Sequence, residues 1–303
     1  MAWSSSGATV AGPTAATTTA AIGMALAAYA MFSGMDSAVK LLGGRYDVLQ
    51  VVYLNSAFAL PVILAVGLAR GRARLRPRRW RLHLARWSVS YLATLLIFWS
   101  YPRLPLADAY AILFASPLLV TGLSLPLLGE SVDRRRWLAV ASGFLGVLVI
   151  LAPGRHGPLG WPAMAILLGA LGHAVNMVLI RRLGRAGEPV EAIGLAGNGL
   201  TVLLTPLLVA QVWLAPAPAD LLLALLAGAT GGSAFLLLAA AFRAAPAATV
   251  APFQYSQMLH GLAIGWLCFA ERPEPGMLLG AAIVVGSGLY LLRHAGDNRE
   301  QPA

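Results

Sequence analysis

Apolar runs of about 18 to 24 residues recur along the whole chain, separated by short polar breaks. They fall at 20–42, 47–69, 84–102, 106–127, 136–153, 159–180, 191–214, 219–242, 247–269 and 275–292. A helix rising 1.5 Å per residue crosses a hydrocarbon core of ~30 Å in about 20 residues, so each run predicts one membrane span. The breaks carry helix-ending residues: Gly43-Gly44, Pro153-Gly154, Pro216-Ala217-Pro218 and Arg272-Pro273-Glu274-Pro275. The third run is the weakest, because Arg86 and Trp87 sit near its start. The predicted fold class is an all-α integral membrane protein of ten transmembrane helices.

Composition agrees. Charged residues make up 11% of the 303 positions and hydrophobic residues 58%, where a soluble domain carries about 25% charged residues. So few charges cannot cover a water-facing surface. The net charge of +10 does not indicate nucleic acid, because the arginines lie between apolar runs and not on one solvated face. Residues 1–19 are uncharged and rich in Ala, Ser and Thr, which predicts a disordered tail and lacks the basic start of a secretory signal. Cys268 is the single cysteine, so no intrachain disulfide forms.

The basic residues set the orientation. With the N-terminus inside, 17 of them fall in cytoplasmic segments and 5 (Lys40, Arg45, Arg103, Arg155 and Arg272) outside. This asymmetry predicts both termini in the cytoplasm of a bacterial inner membrane, with 294–303 as a cytoplasmic tail. The arginines from Arg70 to Arg86 read as the main orientation signal, meeting anionic lipid.

The chain also repeats. Shifting the first half by 141 positions lays Lys40 on Arg181, Pro105 on Pro246 and Glu130 on Glu271. The halves are expected at 20–153 and 159–293, five spans each. An odd number of spans per half inverts one half relative to the other, an arrangement common in secondary transporters.

Several segments resemble the EamA type of the drug/metabolite transporter superfamily. They are Leu104-Pro105-Leu106-Ala107-Asp108-Ala109, Ala115-Ser116-Pro117-Leu118, Leu127-Leu128-Gly129-Glu130 and the apolar run Gly143 to Ile150. The resemblance covers about residues 20–293. Met35 to Lys40 is similar to the first helix of members that take up S-adenosylmethionine or riboflavin. The second half departs from the pattern: Ala270 replaces the glycine and Arg272-Pro273 follows Glu271. The resemblance implies a central cavity lined by helices of both halves.

Candidate solute-binding residues follow from polar groups inside spans, where ionisable side chains are costly. Tyr29, Phe32, Ser33, Asp36 and Lys40 share a face of the first span. This face could bind a flat or zwitterionic solute, or could hold only an Asp36–Lys40 ion pair. Tyr110 and Phe114 on the fourth span supply apolar wall, with Pro117 as a kink, and Asp108 is a helix N-terminal acid. His173 and Asn176 on the sixth span, and Gln254, Gln257 and His260 on the ninth, are the second-half candidates, with Gly261 and Gly265 permitting close packing. Glu130 and Glu271 are expected at the membrane surface beside basic residues, in structural or gating roles.

Enzyme chemistry is not indicated. The histidines at 83, 156, 173, 260 and 294 have no metal-ligand spacing, and no GxSxG or Walker motif occurs. No cofactor or metal is implied. The expected function is a secondary transporter of a small polar metabolite by alternating access. Its partners are the solute, a coupling ion or proton, membrane lipid and, left open, a second copy of the chain. The competing readings are a lipid or polyprenyl-carrier translocase of the same fold and a membrane-embedded enzyme.

Overall fold

The computed structural model describes residues 15–116, 118, 119, 123, 134–150, 160–245 and 250–297. Pro117 and Glu130 lie outside the described residues. Among the described residues there is no strand, and ten helices have eight residues or more. They are α1 (Ala15–Gly43), α2 (Val48–Arg70), α3 (Trp80–Ser100), α4 (Leu106–Leu113) and α5 (Arg134–Ile150). The second series is α6 (Trp161–Arg185), α7 (Val190–Leu204), α8 (Pro218–Ala244), α9 (Ser256–Phe269) and α10 (Pro275–Asp297). A single turn, Pro206–Val209, continues α7.

Five of these are long and apolar enough to cross a membrane by themselves: α1, α2, α6, α7 with its added turn, and α8. The others are shorter or less apolar over the residues described. Arg81 and Arg86 interrupt α3, and Arg134 to Arg136 open α5. The fourth and ninth spans are broken. After Leu113 the Ala115 amide bonds to the Ile112 carbonyl at 3.0 Å, a tight turn, before the Leu119 amide reaches Ala115 O at 2.9 Å. On the other side, a 3₁₀ turn at Ala251–Tyr255 leads into α9. Proline at 252 and at 117 lacks the amide that a continuous helix would use. The two breaks are repeat-equivalent, since Phe114 shifted by 141 falls on Tyr255.

The packing follows the repeat. The first helix of each half packs on the third of the other, α1 on α8 and α6 on α3. The second helices meet each other (α2 and α7), as do the fourth (α4 and α9) and the fifth (α5 and α10). The first also meets the opposite fourth in both directions, α1 with α9 and α6 with α4. Exchanging the halves therefore returns the same set of contacts, as a two-fold axis between inverted repeats requires.

Polar side chains tie the ends together in two groups. At one end Arg45 Nη1 lies 2.6 Å from Asp220 Oδ1, and Tyr46 donates to Asp220 Oδ2 at 2.8 Å. There buried Gln50 donates to Leu214 O at 2.6 Å and accepts from Leu214 N at 3.0 Å. At the opposite end fully buried Glu191 meets Arg70 at 3.0 Å and Arg74 at 3.6 Å. Its neighbour Glu188 accepts the Arg78 and Arg79 amides at 2.9 Å each. Gln50 and Glu191 are 141 residues apart, so equivalent positions grip equivalent loops, one with an amide and one with a carboxylate.

One reading needs correction here. Arg86 is not a solvated orientation charge. It is buried between α3, α6 and α7, where it donates to Asn176 Oδ1 at 3.2 Å and Ile193 O at 3.1 Å. A guanidinium with five donors can satisfy neutral carbonyl oxygens on two other helices at once.

Candidate functional site

The site is a column between α1 and α4 of one half and α9 of the other, in three layers about one helical turn (~5–6 Å) apart. The outermost layer is an ionic lock. Lys40, near the end of α1, gives its ammonium to Glu271 Oε1 and to the Leu104 carbonyl, and lies 5.1 Å from the Phe269 ring centroid. The second carboxylate oxygen of Glu271 accepts the Leu106 amide at 2.9 Å. Leu106 opens α4, whose N-cap Pro105 has no side-chain acceptor, so Glu271 caps that helix from the other half. Ala270 aims Glu271 by adopting φ +53°, the left-handed conformation, while the Glu271 amide bonds back to Gly265 O at 2.9 Å. Of the two readings of this face, the Asp36–Lys40 ion pair is not formed, because Lys40 turns to the opposite half.

The middle layer holds Asp36, 4% exposed, which accepts from the Tyr110 hydroxyl at 2.9 Å. Tyr101, 2% exposed, stands beside the same carboxylate. Tyr110 packs directly against Gly261 of α9: a β-carbon there would come within 2.5 Å of the ring. Only glycine allows that approach. A cavity beside Ala107, Asp108, Gly265 and Glu271 measures ≈ 10 Å³, room for about one water.

The third layer is aromatic. Phe114 and Tyr255, the two repeat-equivalent residues at the helix breaks, meet edge to face at 5.2 Å and 81°. Tyr29 and Phe32 on α1 form a separate cluster with Phe253, next to Tyr255 in the chain, and the end of α8. Here the 3₁₀ turn and α9 present buried polar atoms with no hydrogen-bond partner among the described residues: Tyr255 Oη, Ser256 Oγ and His260 Nδ1. Gln254 and Gln257 are half-buried on the same stretch. An orphaned buried polar atom costs about 1–3 kcal/mol, which a solute or water offering hydrogen bonds would recover.

Of the eleven sequence candidates, the column thus draws on Tyr29, Phe32, Asp36, Lys40, Tyr110, Phe114, Gln254, Gln257 and His260. Asn176 is committed to Arg86 instead, and half-buried His173 on α6 makes none of the column's contacts. Tyr101, Tyr255 and Ser256 were missed. Tyr255 was findable as the repeat mate of Phe114; Tyr101, beyond the end of α3, carries no sequence signal.

The family model for the EamA-like transporter family matches twice, at residues 19–152 and 160–293. The chain belongs to that family. It is an integral membrane protein, and the two matches are the two halves whose contacts exchange. A riboflavin transporter of Rhizobium johnstonii is 33% identical over 250 residues, 81% of this chain and 80% of that one. An S-adenosylmethionine uptake transporter of Rickettsia felis is 23% identical, covering 89% of this chain and 92% of its own. A pseudopaline exporter of Pseudomonas aeruginosa is 27% identical, covering 89% and 95%. One solved crystal structure superposes with a TM-score of 0.66 at 19% identity over 93% of this chain and 99% of that one, a likeness of fold.

Proposed function

We propose that this protein carries a small polar metabolite with a flat ring across the cytoplasmic membrane by alternating access, with both termini inside. The observation that carries the reading is the pair of broken fourth helices meeting at Phe114 and Tyr255. Discontinuous helices at the repeat interface are where secondary transporters bind solute, because the break exposes polar groups inside the bilayer. In this reading the aromatic layer stacks the ring, and Ser256, Gln257 and His260 take its polar edge. Riboflavin and S-adenosylmethionine, named for two of the relatives, each join a flat heteroaromatic ring to a polar chain. The Lys40–Glu271 lock closes the outer end. With no nucleotide-binding motif in the sequence, uphill movement draws on a gradient.

The test is uptake and release of radiolabelled riboflavin and S-adenosylmethionine, then of a metabolite panel, in proteoliposomes holding the purified chain. At least one flat-ringed solute is expected to cross faster than in empty vesicles, and Tyr255→Ala is expected to abolish the difference. If correctly inserted protein moves no solute of the panel in either direction, the transporter reading fails.

A further inference from the structure

Asp36 sits seven residues inside the end of α1 at Gly43, about 10 Å along the helix. It is 4% exposed and forms no ion pair among the described residues. Lys40, on the next turn, is taken by Glu271, the Leu104 carbonyl and the Phe269 ring. The groups that face it from α4 and from the turn after α3 are the hydroxyls of Tyr110 and Tyr101. From α9 comes Gly261, with His260 beside it, and Tyr255 lies at the helix break. α4 also carries buried Asp108 in its first turn. α8 carries charge only near its two ends, at Asp220 and Arg243. Two phenol hydroxyls do not replace the hydration of a carboxylate, whereas a neutral carboxyl is satisfied by them: one oxygen accepts from Tyr110 and the O–H donates to the other hydroxyl.

We infer that Lys40 is a shared partner that alternates between Asp36 and Glu271, and that Asp36 exchanges the Lys40 ammonium for a proton each time the outer end closes. Positions 36 and 40 are one turn apart, so when Glu271 withdraws, the Lys40 ammonium folds back onto the Asp36 carboxylate. In the open state the charges are Lys40 with Asp36 inside the column and a hydrated Glu271 outside it. On closing, Lys40 moves to Glu271, and Asp36 takes one proton from outer water before that water leaves. When the inner end opens, water reaches Asp36 and the proton leaves to the cytoplasm. One proton crosses per cycle and no bond other than O–H forms or breaks. The column is neutral with Lys40 on Asp36 while the outer end is open and with Asp36 protonated once it closes. After release the Asp36 carboxylate is hydrated from the cytoplasm until the outer end reopens and Lys40 returns to it. The inference rests on the transporter reading for its cycle, but the Lys40 exchange is measurable without a known solute.

Infrared difference spectra of the reconstituted protein across a pH titration read the carboxyl directly. Wild type is expected to show a protonated carboxyl band at neutral pH that is missing in Asp36→Asn. In Glu271→Gln, where Lys40 is free to pair with Asp36, the same band is expected to vanish at a pH lower by about one unit or more, a tenfold loss of proton affinity. In Lys40→Met with Glu271→Gln the wild-type band is expected back. A carboxyl band unchanged in Asp36→Asn, or one that Glu271→Gln leaves in place, overturns the inference, and the second arm stands even where Asp36→Asn does not fold. Riboflavin flux with and without an imposed pH gradient separates the two readings. Flux indifferent to the gradient and retained by Asp36→Asn removes the proton coupling while leaving the transporter. The Asp36 band with no solute moved keeps the proton site and removes the transporter.

Discussion

Replacing Glu271 by glutamine should open the outer end of the column. The substitution keeps the side chain's shape and removes the charge that holds Lys40 and caps α4. An ordinary interhelical hydrogen bond in a bilayer is worth ~0.6 kcal/mol, too little to set a conformational equilibrium. This contact is stronger. Lys40 is 9% and the Glu271 side chain 18% exposed, and the carboxylate also accepts the Leu106 amide at 2.9 Å. Breaking a fully buried pair costs about 3–5 kcal/mol and a charged hydrogen bond about 1.5–3, so partial exposure sets this one at roughly 2–3. At ~1.4 kcal/mol per factor of ten, the outward-open population rises by roughly 30- to 140-fold if the lock exists only in the closed state. The assay is alkylation of Ala107→Cys, a small residue under the lock, by a membrane-impermeant maleimide in a Cys268→Ala background. Labelling from outside should accelerate by that factor in Glu271→Gln, equally in Lys40→Met, and no further in the double variant. Unchanged labelling, or effects of the two single substitutions that simply add, would show that the pair does not hold the end closed.

Gly261→Ala places a β-carbon 2.5 Å from the Tyr110 ring, so Tyr110 must shift by about 1 Å. Solute flux should fall at least tenfold while membrane abundance changes little; normal flux would show that the Tyr110–Asp36 contact is dispensable. Ala270→Gly relieves the left-handed conformation at φ +53° and should stabilise the detergent-solubilised protein by about 0.5–1 kcal/mol, read as a rise in Tm. Glu191→Gln leaves Arg70 and Arg74 without their buried carboxylate and should cost about 1–3 kcal/mol in the same assay, and Gln50→Glu, which loses the donor to Leu214 O, should also destabilise. Single cysteines at Gly44 and Gly184 should label from opposite faces, Gly44 from outside; labelling from one face would contradict the alternation of the helices.

How much was legible without coordinates depends on the range over which each signal acts. Lipid contact imposes length and hydropathy on each segment separately, so ten spans and their breaks could be read along the chain, most boundaries to within a few residues of the helices. The repeat was also legible, because duplicated halves keep the same spacing. What no local pattern contained was the choice of partner. Lys40 and Asp36 share one helical face, and local spacing favours their pairing; only the meeting of α1 with the α9–α10 turn, 231 residues away, gives Lys40 to Glu271. Arg86 looked like one more surface arginine until α6 and α7 closed over it. Tyr101 gains its place beside Asp36 solely from the turn after α3. Hydrophobic periodicity records which environment a residue prefers. Which charge answers which is decided by how helices from the two halves cross, and that is a property of the packed structure alone.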